Sequence, residues 1–119
     1  MSAILKSIQT LGPSGKRRLF SYSGSVARGV VLEQSGKPRI DAEFFSKALH
    51  DFSGKTVFGG FREDDPPPNG FGAWVEKNSV EWNSRKLTPR HGSFMAAILC
   101  AEAGVRNGLV GNSIVLTFP

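Results

Sequence analysis

The sequence predicts a small α+β fold, and three features of the 119-residue chain support this prediction. Short stretches of alternating apolar and polar residues, separated by turn-forming residues, dominate the first third and predict strands. Two later stretches have apolar residues at helical spacing instead. Fourteen glycines and seven prolines interrupt the chain too often for a helical bundle. Because the length is typical of one domain, we expect a single α+β domain over residues 1–119.

The first part of the chain predicts an antiparallel β-meander. Residues 4–9 form the first predicted strand, and a turn sequence of glycine, proline and serine follows at 12–15. Alternating apolar residues predict two further strands, at 19–23 and 26–33. Residues 34–38 contain glycine and proline and end the third strand. Strands joined by such short turns are expected to pair with their neighbours in sequence.

The apolar period becomes helical at Asp41. This aspartate is a good N-cap, and apolar residues then recur at helical spacing as far as Phe52. Gly54 is a natural C-terminal stop. These signals predict a helix over about residues 41–53.

A buried strand over residues 55–61 is predicted next. Gly59 and Gly60 within it indicate a bulge or a close approach of two backbone segments. A polar loop with three consecutive prolines follows at 62–70, and the apolar spacing after it predicts a short helix over 71–78.

The second main helix is predicted over about residues 88–103. Threonine is a favoured N-cap and proline is favoured at the first helical position, and Thr88-Pro89 combines the two. Gly104 provides the stop. Because residues 94–101 are apolar on every side, this helix is expected to be buried at the centre of the fold.

Two turn signals, at residues 107–108 and 111–112, lead to a predicted terminal strand over 113–118. The order from residue 70 is therefore helix, loop, helix, turns and strand. This order resembles the second part of a winged helix; the resemblance covers residues 70–119 and involves no diagnostic motif. It implies that the last long helix is a recognition helix, whose first residues face base edges and phosphates.

Positive charge is concentrated in the first third of the chain. Residues 1–39 hold seven Lys and Arg against one acid, whereas residues 40–119 hold eight against nine. A local positive field attracts polyanions, of which nucleic acid is the commonest, although such charges also keep strand edges from pairing. We expect a nucleic-acid-binding protein, with DNA and RNA both open as ligands. The predicted contacts are Lys16, Arg17, Arg18, Arg28, Arg85, Lys86, Arg90, His91 and Arg106.

Two aromatic residues lie in the second predicted strand, directly after the basic residues 16–18. Phe20 and Tyr22 alternate on one face, beside the predicted phosphate contacts. Aromatic rings next to cations suit the stacking of unpaired bases in single strands. The alternative is that both rings belong to the hydrophobic core.

The loop over residues 62–71 supports a second hypothesis, a protein-binding inhibitor or accessory factor of the kind carried by phages and mobile elements. Its prolines restrict the backbone before any partner binds. Charged residues begin this loop and aromatic residues end it, and Arg and Trp are favoured interface anchors. The residues that this hypothesis uses are Arg62, Asp64, Asp65, Phe71 and Trp74.

The sequence contains no catalytic signature. It has no Walker A motif, no Gly-x-Ser-x-Gly motif and no dinucleotide fingerprint. Neither His50 nor His91 has metal-ligand spacing to another His or Cys. We therefore expect no enzyme activity, no metal and no cofactor. A metal-dependent nuclease that uses the adjacent acids Glu63, Asp64 and Asp65 is the minor alternative.

Cys100 is the only cysteine, so no intramolecular disulfide can form. Its apolar neighbours predict a buried, inert thiol. The first residues show no secretory signal, and the longest apolar run, residues 94–101, is too short to cross a bilayer. These observations predict a cytoplasmic protein without a membrane partner.

Overall fold

The N-terminal part of the chain forms a four-stranded antiparallel sheet in a computed structural model, which describes residues 4–119. Its order is β1-β2-β3-β4, so each strand pairs with its neighbour in sequence and the predicted meander is confirmed. The strands are β1 (Leu5–Gln9), β2 (Leu19–Ser25), β3 (Gly29–Leu32) and β4 (Arg39–Ile40).

The third strand begins later than predicted. The N–H of Arg28 donates to the carbonyl of Ser25 at 3.2 Å, and this bond closes a tight turn between β2 and β3. Gly29, with a φ of 90°, leads out of this turn. The turn therefore takes up the first residues of the predicted strand over 26–33.

Three helices follow: α1 (Ala42–Asp51), α2 (Phe71–Trp82) and α3 (Pro89–Glu102). The predictions for α1 and α3 are confirmed within about two residues at each end. Helix α2 is longer than the short helix predicted over 71–78. In its last turn Val80 and Trp82 are exposed whereas Ser79 is buried, so the apolar pattern that marks a helix face is inverted there.

A second, three-stranded antiparallel sheet closes the fold, with the order β5-β7-β6. Its strands are β5 (Thr56–Phe58), β6 (Arg106–Val110) and β7 (Ser113–Thr117). The predicted terminal strand is confirmed and lies in the middle of this sheet. The strand predicted over 55–61 is shorter than expected and largely exposed, because β5 lies at a sheet edge.

The hairpin between β6 and β7 contains one turn instead of the two signalled by the sequence. Gly111, with a φ of 62°, makes this turn together with Asn112. The other signal, Asn107-Gly108, lies inside β6 and pairs with β7. Turn-forming residues at 107–108 were thus overridden by pairing between strands.

One hydrophobic core joins both sheets and all three helices. Residues 95–99 of α3 are all buried, which confirms the prediction of a central helix. Phe20 and Tyr22 of β2 belong to this core, as do Phe44 and Phe45 of α1. The other buried hydrophobic residues are Val30, Leu32, Ile40, Ala48, Phe71, Val75, Leu87, Val105, Leu116 and Phe118.

Glycines allow the segment after β5 to lie directly against α2 and α3. The N–H of Gly72 donates to the carbonyl of Gly59 at 2.8 Å. A Cβ on Gly72 would lie 2.3 Å from the carbonyl oxygen of Gly60, and one on Gly92 would lie 3.3 Å from the Cα of Gly72. The close backbone approach predicted from Gly59 and Gly60 is therefore confirmed.

Within residues 4–119, the longest helix, α3, has 14 residues, and no helix combines the length and apolar character needed to cross a membrane.

Candidate nucleic-acid interface

The nine predicted nucleic-acid contacts lie in five parts of the structure, and all except His91 are exposed. They belong to the β1–β2 loop, the β2–β3 turn, the α2–α3 linker, the first turn of α3 and the start of β6. In that order they are Lys16, Arg17 and Arg18; Arg28; Arg85 and Lys86; Arg90 and His91; and Arg106.

The β1–β2 loop presents three cations on a backbone that is closed by hydrogen bonds. The N–H of Thr10 donates to the carbonyl of Arg18, and the N–H of Arg18 donates to Thr10 Oγ1, both at 2.9 Å. Arg17 Nε donates to the carbonyl of Gly12 at 2.9 Å. No hydrogen bond to a described residue uses the Nη atoms of Arg17.

A second basic group forms where β4 meets the α2–α3 linker. Asn83 Nδ2 donates to the carbonyls of Arg39 at 2.8 Å and Arg85 at 2.7 Å. Arg39 Nη2 reaches the carbonyl of Arg28 at 3.4 Å, and Arg85 Nη1 donates to the carbonyl of Gly36 at 2.7 Å. These bonds bring the backbones of Arg28, Arg39 and Arg85 close together, and the guanidinium of Arg39 is paired with Asp41. Arg39 was not among the predicted contacts, and nothing local in the sequence indicates its position.

None of the eight predicted Lys and Arg contacts forms an ion pair with a described residue. The Lys and Arg side chains that do so within residues 4–119 are Lys6, Lys37, Arg39 and Lys47. Their carboxylate partners are Glu102, Glu33, Asp41 and Asp51, respectively. These eight side chains therefore have no ion-pair partner among the described residues, although Arg90 lies near Glu63 and Asp64.

His91 has a structural role at the start of α3. Thr88 N–H donates to His91 Nδ1 at 3.0 Å, and the N–H of His91 lies 3.4 Å from Thr88 Oγ1, which together make a capping box. Burial lowers the pKa of His91; the charges of Arg85 and Arg90 also lower it, whereas Glu63 acts in the opposite direction. This histidine is therefore neutral at pH 7 and adds no positive charge to the interface.

Helix α3 does not present the face that a recognition helix requires. The order of helix, helix and hairpin is as predicted, but residues 95–99 are buried and Arg90 is the exposed cation of the first turn. Arg90 shares a shallow depression with Glu63 and Asp64. A recognition helix inserts an exposed polar face into the major groove, so the role implied for α3 by the winged-helix resemblance is corrected.

Phe20 and Tyr22 cannot stack on bases, which corrects that part of the prediction. Their exposed fractions are 8% and 1%. The ring of Phe20 packs edge-on against Phe94 of α3, with centroids 4.9 Å apart. Both rings are core residues, as in the alternative considered for them.

The residues of the protein-binding hypothesis divide into a buried and an exposed set. Phe71 is fully buried, and the half-buried Trp74 stacks on both Phe44 and Phe71. Trp74 Nε1 also donates to Asp51 Oδ2 at 3.1 Å. The anchor role predicted for Phe71 or Trp74 required an exposed ring; Phe71 is buried and Trp74 packs on the core, which was the alternative for both. The exposed set is Arg62, whose Nη2 donates to the carbonyl of Asp65 at 3.1 Å, together with Asp64 and Asp65.

The acidic run after Phe61 does not converge on a metal site. No group of three or more His, Cys, Asp or Glu in residues 4–119 is arranged to hold a metal ion. Glu63 instead accepts a hydrogen bond from Thr88 Oγ1 at 3.2 Å. The nuclease hypothesis thus has no structural observation in its favour.

Cys100 is half-buried, where full burial was expected. Burial raises the pKa of its thiol, and a hydrogen bond with Asn107 opposes this in part. A raised pKa reduces the thiolate fraction, which is the reactive form.

An apolar pocket of about 650 Å³ lies beside the end of β5. It is formed by β5, the segment after it, the proline-containing loop and the β6–β7 turn. Residue spacing does not indicate this pocket, because it forms between residues 58–70 and residues 112–114, and Phe58 was predicted to lie in a buried strand. Its lining includes Phe58, Phe61, Arg62, Pro67, Asn69, Asn112 and Ile114.

No protein-family model, curated protein or solved structure matches this chain. The winged-helix resemblance of residues 70–119 therefore remains one of element order.

Proposed function

We propose that this protein is a non-catalytic nucleic-acid-binding factor that contacts phosphates through the β1–β2 loop and the arginines beside the α2–α3 linker. The observation that carries the proposal is the absence of an ion pair, among the described residues, at all eight predicted Lys and Arg contacts. Phosphate contacts by such cations release counterions, which is the main source of affinity in sequence-independent binding.

The β1–β2 loop is the strongest part of this surface. The first 32 residues contain no Asp or Glu, so no nearby carboxylate in sequence opposes Lys16, Arg17 and Arg18. The hydrogen bonds that close the loop also reduce the entropy lost when it binds. A rigid cationic loop of this kind favours backbone contact over base reading.

The face of the first sheet next to this loop can add neutral contacts. Lys6 and Tyr22 face Glu102 of α3, and residues alternate between faces along a strand. Ser7 and Ser21 therefore lie on the opposite face, where their Oγ atoms are 2.8 Å apart. Serine hydroxyls are common donors to phosphate and sugar oxygens.

The test is a fluorescence-anisotropy titration of labelled oligonucleotides at a series of salt concentrations. We expect affinity to fall steeply with salt. Replacing two cations, Arg17→Gln with Arg18→Gln, should weaken binding to every sequence alike and reduce the slope of log K against log salt by about 1.5. This uniform loss is expected because phosphate contacts carry no sequence information.

The matched control is Lys55→Gln with Lys77→Gln, which removes the same net charge from two exposed lysines without an ion pair to a described residue. It should change the affinity little. Equal losses in the two double variants would mean that net charge alone matters. No salt-sensitive binding of single or double strands at low ionic strength would refute the proposed function.

The protein-binding hypothesis stays a prediction without an observation in its favour. Its loop keeps three prolines and exposed charges, but its two aromatic anchors are committed to the interior. Hot spots of protein interfaces are usually large side chains that become buried on binding. Nothing comparable remains at the end of this loop.

A further inference from the structure

We infer that the apolar pocket beside β5 holds one unpaired base of a bound single strand, an inference that rests on the proposed function. The occupant follows from three properties of the pocket: aromatic walls, side-chain amides without a partner among the described residues, and a nearby cationic loop. These properties come together only in the folded chain, because residues 58–70 and residues 112–114 form the pocket.

The walls provide a flat apolar surface that is already in place. Phe58 has 52% of its surface exposed, although it is a large aromatic residue. The ring of Phe61 lies between two glycines. A Cβ added to Gly59 would be 2.7 Å from this ring, and a Cβ added to Gly92 would be 3.4 Å from Phe61 Cδ1. Phe61 is thus held in position by two glycines, and an exposed ring and a fixed ring together suit base stacking.

The polar groups of the lining suit the edge of a base. Asn69 and Asn112 line the pocket, and neither side-chain amide makes a hydrogen bond to a described residue. Asparagine amides both donate and accept, and they pair with base edges. Arg62 is the one charged residue of the lining, and the acids Glu63, Asp64 and Asp65 that follow it lie outside the lining. The volume of about 650 Å³ is within the range of small-ligand sites.

The cationic loop lies next to the pocket wall. Ile114 lines the pocket, and its Cδ1 is 3.7 Å from the position of a Cβ on Gly12. The carbonyl of the same Gly12 accepts the hydrogen bond from Arg17 Nε. The loop that carries Arg17 therefore contacts a residue of the pocket wall, and the inference places the phosphate on Arg17 and the base in the pocket. This continuity favours a nucleotide within a strand over an apolar peptide.

The experiment compares wild type, Phe58→Leu and Trp82→Leu on a single-stranded 12-mer and on an abasic strand of the same length and charge. Wild type should bind the strand with bases more tightly than the abasic strand. Phe58→Leu should lose about fivefold or more of that affinity, because leucine has no face for stacking. Its affinity for the abasic strand and its salt slope should not change.

Trp82→Leu is the matched control, because Trp82 is a similarly exposed aromatic residue (43%) on α2 that does not line the pocket. It should behave as wild type on both strands. Because Phe58 is exposed, its replacement should leave the fold intact, and circular dichroism of each variant checks this.

The outcomes separate this inference from the proposed function. Equal wild-type affinity for the two strands would overturn the base pocket and leave phosphate binding in place. No binding of either strand would refute both. A free mononucleotide that binds as tightly as the 12-mer would assign the pocket to a small ligand. A photo-cross-linker at residue 58 that labels a protein in nuclease-treated extract, and never the oligonucleotide, would assign it to a protein; both results overturn the inference.

Discussion

Gly72 shows how one residue can determine where a helix lies. Its N–H donates to the carbonyl of Gly59, while its Cα faces the backbone of Gly60. A Cβ at this position would lie 2.3 Å from the Gly60 carbonyl oxygen and 3.1 Å from Cβ of Pro89. The Gly60 oxygen belongs to the backbone and the Pro89 Cβ to a rigid ring, so moving either atom would require a shift of the backbone.

We therefore expect Gly72→Ala to lower the free energy of unfolding by about 1–3 kcal/mol, as overpacking of a closely packed interior does. Urea denaturation measures this change. The control is Gly108→Ala in β6, because a Cβ there has no atom within 4 Å. Its stability should equal or slightly exceed that of wild type. Equal stability of both variants would show that α2 can shift away from Gly60.

At the scale of elements, Asn83 joins the β4–α1 junction to the α2–α3 linker. Its Oδ1 accepts from the N–H of Asp41 at 2.7 Å, and its Nδ2 donates to the carbonyls of Arg39 and Arg85. Asp41 occupies the predicted N-cap position, but its side chain makes no capping bond to α1. Its carboxylate instead accepts from the N–H and Oγ of Ser84. Side chains from each segment therefore bond to the other: Asn83 of the linker to the backbone of the junction, and Asp41 of the junction to Ser84 of the linker.

Replacing Asn83→Ala should lower the free energy of unfolding by about 1–3 kcal/mol, because it leaves three partly buried backbone groups without their partner. It should also weaken oligonucleotide binding, since Arg39 and Arg85 lose their common attachment. Lys77→Ala, at an exposed position on α2, serves as the control. Thermal unfolding and anisotropy titration of both variants provide the measurements, and unchanged stability of Asn83→Ala would contradict this account.

The elements that the sequence predicted well have signals within a few residues. Helix α3 begins at Thr88-Pro89, and the run of apolar residues after it requires burial. The elements predicted poorly depend on distant partners. Asn107-Gly108 became part of β6 because β7 pairs with it, and the last turn of α2 exposes Val80 and Trp82 against the usual pattern.

The same distinction applies to the candidate interface. The run of Lys16, Arg17 and Arg18 is a local signal and could be found in the sequence. The neutral state of His91 depends on its burial and on the charges of Arg85 and Arg90. The backbone of Arg39 is attached to the linker through Asn83. The pocket depends on residues 58–70 and residues 112–114, which meet only in the folded chain. Properties that arise from tertiary contacts have no counterpart in residue spacing.

At the scale of the whole molecule, Glu102 joins the end of α3 to the N-terminal sheet. Its carboxylate accepts hydrogen bonds from Tyr22 Oη, from the N–H of Val26 at 3.1 Å and from Lys6 Nζ at 3.2 Å. Burial raises the pKa of Tyr22, and its hydrogen bond to Glu102 raises it further, so the phenol stays protonated as the donor. These contacts connect residues that are more than seventy positions apart in the chain.

This arrangement makes stability depend on pH in a defined direction. Burial alone would raise the pKa of Glu102, but the hydrogen bonds from Tyr22, Val26 and Lys6 outweigh it and lower the pKa below its ordinary value of 4.5. Because the pKa is lower in the folded chain than in the unfolded chain, ionised Glu102 stabilises the fold. This stabilisation is complete above the unfolded pKa and is lost as the pH falls through the folded pKa.

We therefore expect Glu102→Gln to be less stable than wild type at neutral pH, and the difference between the two to shrink as the pH falls from about 5 to about 3. Urea denaturation at each pH measures it. Asp41 and Asp51 also have lowered pKa values, so wild type itself loses stability in this window and only the difference between the two proteins isolates Glu102. Glu81→Gln, at an exposed position on α2, should follow the wild-type curve. A constant difference between Glu102→Gln and wild type from neutral pH to about 3 would mean that Glu102 acts through packing rather than through its charge.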